Sequence, residues 1–368
     1  MNSKPSTLAH FDSIQLLRFV AALMVVLAHT TEAMGQRIIA FKGLEFWSTG
    51  AAGVDIFFVI SGFVMTISSR APTSDARTNR ANAWDFIKRR FIRVVPLYWF
   101  YTVLKIISVL ALPALALRTR LEPDHILASF LFIPYTSPWG IVQPVLPVGW
   151  TLNFEMLFYA LFAIAIAFNF QRLFFCCIGF CLLYIAAHFA PDVAALNFYG
   201  RSILFEFGIG MLIARFHAYR LPLPLAALLV ALGIALISGF TSAEDLDRIF
   251  KQGLGAGLLV LGAINLEQAP WLKSQLQRVS ILGDISYSSY LCHSFLVPIS
   301  VAVFGHIGLL NASLIIVLTA LIVFVGSLAS FLWLEKPMTE FLKQRFFKKK
   351  PRDHLAHTVT PAPENFRA

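Results

Sequence analysis

Arg18 and His29 stand in one apolar run, LLRFVAALMVVLAHTTEAMG, residues 16–35. At i and i+11 they are three helical turns plus about 20° apart, so on a helix they share a face, separated by about 16 Å along the axis. A cation and a titratable imidazole are costly inside a hydrophobic segment and should face a protein or water-lined interior. The plainer alternative is a simple anchor, with Arg18 snorkelling to one surface and His29 marking the far end.

Further polar residues interrupt other apolar runs. Asp55 lies in GVDIFFVISGFVM, which also carries Ser61, and Glu155 lies in VGWTLNFEMLFY, shortly after Trp150. Counting ~1.5 Å per residue from the ends of these runs puts His29, Asp55 and Glu155 in the same outer slab of a bilayer core ~30 Å thick. Each alone reads first as a structural polar contact, whereas three at one level suit a lined cavity. There Glu155 or Asp55 would orient the His29 ring and raise its basicity, the logic of catalytic dyads. In GDISYSSYLCHSF, residues Tyr287, Tyr290 and His293 form a stripe at spacings of three. Core hydrogen bonding is the default for that stripe and a pocket wall the alternative. The run KRRFIRVVPLYW places Arg90 and Arg93 at i, i+3 and Arg89 and Arg93 at i, i+4. Topology alone explains such a basic cluster, but guanidiniums at a membrane surface also make a clamp for a multiply phosphorylated donor such as a coenzyme A thioester. No P-loop or kinase-type glycine-rich loop favours ATP. Glu335-Lys336-Pro337 reads as a helix stop with an interfacial ion pair.

The elements that must position these residues follow from composition. The 368-residue chain is 58% hydrophobic and 14% charged, against about 25% charged in soluble domains. With a mean hydropathy of +0.71, it is an all-α polytopic membrane protein by expectation. Its net charge of +10 sits in short segments between apolar runs, which is the pattern of topology determinants and excludes nucleic acid as partner. Cys176, Cys177, Cys181 and Cys292 all lie inside apolar runs, with no disulfide framework and no zinc spacing. No metal is expected.

About ten transmembrane helices are predicted, near residues 14–34, 51–69, 92–112, 150–169, 173–190, 202–216, 221–240, 252–266, 285–304 and 312–334. The first is read as an uncleaved span rather than a signal peptide. The piece ILASFLFIPY is too short to cross and is read as re-entrant or interfacial. Lys and Arg concentrate on one side, which puts both termini in the cytoplasm. Residues 1–13 form a cytoplasmic lead, 14–340 the transmembrane domain, and 341–368 a basic cytoplasmic tail, disordered at its end.

Several stretches together resemble the acyltransferase 3 family of integral-membrane O-acyltransferases. LLRFVAALMVVLAH resembles its Arg-x10-His first span, and GVDIFFVISGFVM its second-span signature. RRFIRVVPLYW is similar to its Arg-x-x-Arg motif, and WTLNFEMLFY to its Trp-Ser-Leu-x-x-Glu block. GDISYSSYLCH and the late Glu-Lys-Pro resemble its end, with Cys292 at the place of the usual Trp. The likeness covers about residues 11–340, and its opening is most similar to the exopolysaccharide-modifying acetyltransferases.

The resemblance implies transfer of an acyl group, usually acetyl from cytosolic acetyl-CoA, to a hydroxyl of an extracytoplasmic polysaccharide or lipid-linked glycan. It implies His29 as the essential catalytic residue, Arg18 as a donor-holding group and Arg90 and Arg93 as phosphate ligands, with Arg89 beside them. Glu155 and Asp55 remain candidates for the catalytic set, and Trp150, Ser61, Tyr290 and His293 for the substrate pocket. The lipid bilayer and polysaccharide-synthesis machinery are the other expected partners. Many members carry a soluble esterase-like domain after the last span. Only a short basic tail follows here, so a second catalytic module would be another protein. The competing class is a proton-coupled transporter or flippase for a glycan precursor, since intramembrane His, Glu and Arg serve those equally.

Overall fold

The structure, a computed structural model, describes residues 11–42, 44, 47–69, 71–111, 121–239 and 245–347. Most of the expected lead, the LPALALRTR stretch and the tail from 348 onward lie outside the described residues.

The regular elements among the described residues are helices. Eight are long and apolar enough to cross a membrane, which makes the chain an all-α polytopic membrane protein. They begin with α1 (Asp12–Arg37), α2 (Ser48–Ser68) and α3 (Ala76–Ala111). The short α4 (Pro123–Phe130) precedes α5 (Trp150–Ala167) and α6 (Arg172–Phe189). After α7 (Ala194–Tyr199) come α8 (Leu204–Phe216) and α9 (Leu223–Ser238), which at 13 and 16 residues reach only about 20 and 24 Å. The next apolar helix is composite: α10 (Asp245–Arg248), a π-turn at Ile249–Gly253 and α11 (Leu254–Leu266). Then α12 (Pro270–Val279) and α13 (Ile281–Asp284) lead to α14 (Ser286–His306). The chain ends in α15 (Ala312–Ser330), a π-turn at Phe331–Glu335 and α16 (Lys336–Phe346). Each span expected from the sequence falls on one of these helices.

Two helix starts explain how the site is held. The backbone amides of Asp12 and Ser13, at the N-terminus of α1, donate to the carboxylate of Glu267 at 3.0 Å each, and the Ser13 hydroxyl adds a third bond. A carboxylate from far along the chain thus satisfies first-turn amides that would otherwise lack partners, and its charge suits the helix dipole. At α3 the cap is local. Asp75 accepts from the Arg77 and Thr78 amides at 3.1 and 3.0 Å and from the Thr78 hydroxyl. These bonds, led by the hydroxyl, hold the Asp75 carboxyl below its ordinary range. Capped there, α3 runs unbroken through the basic stretch and Pro96, so the segment read as a loop before residue 92 is helical. That places Arg89, Arg90 and Arg93 on a rigid element.

The core is aromatic. Phe207 of α8 stacks on Phe58 of α2 and Phe158 of α5, with ring centroids 4.6 and 4.4 Å apart. Helix α1 packs against α2 and α14, α3 against α5, and α2 against α8. At the last crossing Gly62 faces the backbone of Phe207 and Gly210 the backbone of Val59, so neither position has room for a Cβ.

Candidate active site

Arg18, Ser61, Arg90, Arg93, Glu155 and Tyr290, six residues singled out in the sequence, line one cavity of about 160 Å3, with Tyr159 and Tyr287 beside them. That volume is room for roughly five water molecules. Helices α1, α2, α3, α5 and α14 each contribute, so the cavity exists only when the bundle is assembled.

Its charges are arranged in two sets. Glu155 accepts a 2.9 Å hydrogen bond from the Tyr159 hydroxyl, and Arg90 and Arg18 are the cations that act on it. The buried Nε of Arg90 has no hydrogen-bond partner. An unsatisfied buried donor costs about 1–3 kcal/mol, which a ligand oxygen would relieve. Arg18 also donates to Gln15 on its own helix at 3.1 Å. Arg93 is ion-paired with Glu335 of the late π-turn, whose side chain is 1% exposed. The other Glu335 oxygen accepts from Ser288 at 2.7 Å. Ser330 donates to Ser288, and Tyr101 to Ser330. Glu335 therefore pairs across the bundle, and the helix read as stopping at Pro337 continues as α16. Arg89 faces elsewhere. With Lys343, Gln344 and Phe347 it lines a separate cleft of about 590 Å3.

Glu155 shares its cavity with Arg18, Arg90 and Arg93, and neither His29 nor Asp55, expected at the same level, lines it.

His29 is half-buried, with Nδ1 2.9 Å from the Val25 carbonyl oxygen. A carbonyl only accepts, so the neutral ring carries its proton on Nδ1 and its lone pair on Nε2. Its ring neighbour is His293, edge to face at a centroid distance of 5.1 Å. His293 is fully buried, places Nδ1 3.2 Å from the Ser289 carbonyl, and has no partner at Nε2. The Tyr290 ring lies 5.8 Å from that of His293, which connects the imidazoles to the cavity wall. The Tyr290 and Thr151 hydroxyls lie 2.7 Å apart and both reach the Val148 carbonyl oxygen, at 2.9 and 3.2 Å. Cys292, at the departure from the family pattern, is turned to Ser327 of α15 at 3.2 Å.

Asp55 is 0% exposed and accepts from Nε and Nη2 of Arg248 at 2.9 Å each. Both its oxygens are engaged by that guanidinium, so the orienting role considered for it at His29 is not carried forward. Glu206 and Gln252 are buried close by, and their side-chain polar atoms lack partners. The sequence reading passed over Glu206, Arg248, Gln252 and Tyr159. The usable signal was a Glu and a Gln interrupting apolar runs, as Asp55 and Glu155 do. Trp150 lines a different, larger cleft together with Arg248. Among the described residues no group of three or more His, Cys, Asp or Glu side chains could hold a metal ion.

The family model described as an acyltransferase domain matches residues 11–334. The chain belongs to the acyltransferase 3 family. It is 38% identical over 259 residues to the exopolysaccharide production protein ExoZ of Rhizobium meliloti (strain 1021), covering 69% of this chain and 78% of that protein. It is 31% identical over 147 residues to the O-acetyltransferase OatA of Staphylococcus aureus (strain NCTC 8325 / PS 47), covering 37% of this chain and 23% of that one. It is 28% identical over 165 residues to the acyltransferase MdmB of Streptomyces mycarofaciens, covering 43% of this chain and 40% of that one. No solved structure matches the chain. The protein is a membrane-embedded enzyme of the O-acetyltransferase type.

Proposed function

We propose that this acyltransferase moves an acetyl group from cytosolic acetyl-CoA to a hydroxyl of a polysaccharide or lipid-linked glycan on the far side of a bacterial inner membrane. The observation that carries the reading is the arginine-lined cavity joined through Tyr290 and His293 to His29. At about 160 Å3 it suits the thioester end of the donor and is too small for the nucleotide. The nucleotide phosphates would then rest outside it, where Arg89 and Lys343 line the neighbouring cleft. Arg90, with an unpaired buried Nε, and Arg18 face the thioester carbonyl and stabilise negative charge developing on its oxygen. The carboxylate of Glu155 offsets the charge of these guanidiniums, and Glu335 pairs directly with Arg93.

Nε2 of neutral His29 accepts the proton of the glycan hydroxyl as its oxygen attacks the thioester carbonyl. A C–O bond forms, the C–S bond breaks, and the proton passes to the departing thiolate, so no co-reactant is needed. His293 acts through His29 by holding the face of its ring. Transient acetylation of His29 would satisfy the same geometry. Single-turnover experiments with acetyl-CoA and no acceptor separate the two routes, because only the second leaves acetyl on the protein.

The deciding experiment compares cell-surface polysaccharide from a strain lacking this chain, restored with the unaltered protein or with His29→Ala. O-acetyl groups absent from the deletion strain should return with the first and not with the second. Equal O-acetylation in the presence and absence of the chain would overturn the reading.

A further inference from the structure

We propose that the cleft lined by Trp150, Tyr184, Asn197, Arg201, Asp245 and Arg248 binds the acceptor as a neutral, hydroxyl-rich carbohydrate, an inference that rests on the proposed function. Its volume is about 750 Å3, within the range of small-molecule sites of roughly 300–1,000 Å3. It is several times larger than the arginine-lined cavity and lies where α6 ends and α10 begins.

The lining has the chemistry a sugar requires. Hexoses offer hydroxyls that both donate and accept, together with apolar C–H faces. Trp150 and Tyr184 supply aromatic surface for those faces. Asn197 uses its amide nitrogen on the Pro191 carbonyl at 3.1 Å and keeps its oxygen as an acceptor. Arg248 binds Asp55 through Nε and Nη2, so its Nη1 hydrogens remain for a ligand. Asp245 is fixed by Ser202, whose amide donates to its carboxylate at 2.9 Å and whose hydroxyl donates to its backbone carbonyl at 2.6 Å. Asp55 pairs with Arg248, and Asp245 adds a second carboxylate beside the two guanidiniums of Arg201 and Arg248. The cleft thus lacks the cationic excess that would select a polyphosphate, which separates it from the donor side.

The position fits transfer. Trp150 lines this cleft while its chain neighbour Thr151 lines the inner cavity. On α2, Asp55 holds Arg248 of the cleft while Val54 lines the inner cavity. Adjacent residues of α5 thus line the two spaces, and on α2 the neighbour of a cavity-lining residue holds the cleft's arginine. A sugar seated against Trp150 lies beside α2 and α5, the helices that also bound the inner cavity.

The test uses the full chain in lipid nanodiscs, acetyl-CoA, and polysaccharide extracted from a strain lacking this chain. Trp150→Ala and Arg201→Gln should each raise the KM for polysaccharide at least tenfold and leave the KM for acetyl-CoA within twofold. Trp150→Phe, which keeps an aromatic face, should stay within threefold of the unaltered protein. Arg201 is exposed, so its variant decides the matter if Trp150→Ala does not fold. Polysaccharide KM values unchanged in the variants that fold, or a parallel rise in the acetyl-CoA KM, would overturn the assignment. If the unaltered protein transfers nothing to this polysaccharide, the proposed function itself falls and takes the inference with it.

Discussion

The rings of His29 and His293 meet edge to face at 5.1 Å, and each points Nδ1 at the carbonyl four residues earlier on its own helix. Each ring is thereby held in one tautomer by its own backbone, with the lone pair on Nε2. That arrangement does for His29 what a carboxylate does in a Ser–His–Asp triad, fixing which nitrogen can take a proton. Fixed on α1 and α14, which pack together, the pair has little freedom to turn away from the cavity wall at Tyr290.

His29→Ala should lower acetyl transfer by about 10²- to 10⁴-fold, the usual contribution of a general base. The side chain is only half-buried, so thermal unfolding in detergent should shift by a few degrees at most. His293→Phe keeps the ring contact and should cost less than the His29 change, acting on kcat with both KM values unaltered.

Glu335 and Arg93 hold α3 to the end of the last span, and their coupling is measurable. Removing one partner of a buried pair costs about 3–5 kcal/mol. Arg93 is 31% exposed, so water offsets part of that, and Glu335→Gln should destabilise by about 1–3 kcal/mol. In a double-mutant cycle with Arg93→Gln, the two changes should fall short of additive by at least about 1 kcal/mol. Additive effects on the unfolding temperature would show that the pair carries no weight.

Much of this was legible in the residues themselves. Hydropathy located the spans, polar interruptions of apolar runs found Arg18, Ser61 and Glu155, and a basic cluster and a tyrosine stripe found Arg90, Arg93 and Tyr290, all of which the bundle brings to one cavity. Grouping was less legible. Counting along the runs put His29, Asp55 and Glu155 at one level, but a count along an axis does not say which way each side chain faces. The cap that Glu267 places on α1 and the partners of Asp55 and Arg93 come from helices far along the chain. Only tertiary packing selects among the many opposite charges that could serve. The continuity of α3 was hidden for a local reason, since the basic stretch before residue 92 reads as a loop.

The crossing of α2 and α8 sets the distance at which the aromatic core can stack. With Gly62 and Gly210 each against the opposite backbone, Gly210→Val must push the helices apart and separate Phe207 from Phe58. Overpacking of this kind costs about 1–3 kcal/mol, and the lost stacking adds to it. The expected result is a lower yield of folded protein and an unfolding temperature well below that of the unaltered chain. The same change at Gly140, which has open space around it but a φ of +76°, should cost only the local backbone strain.

Asp55 offers the sharpest separation between structure and chemistry, because its type and depth once suggested a role beside His29. Its carboxylate is fully buried, and Arg248, 27% exposed, binds it through two nitrogens. Taking away Arg248 alone strands a charge among buried Glu206 and Gln252, so Arg248→Met should destabilise strongly, by about 3–5 kcal/mol. Replacing both residues, as Asp55→Leu with Arg248→Met, removes the stranded charge and should recover much of that loss. Thermal unfolding of the two singles and the double measures the recovery. Asp55→Asn keeps the shape and tests the chemistry, since a structural carboxylate should lose stability while the folded fraction keeps acetyl-CoA turnover within tenfold. A folded Asp55→Asn protein that had lost activity by 10²-fold or more would place Asp55 back in the reacting set.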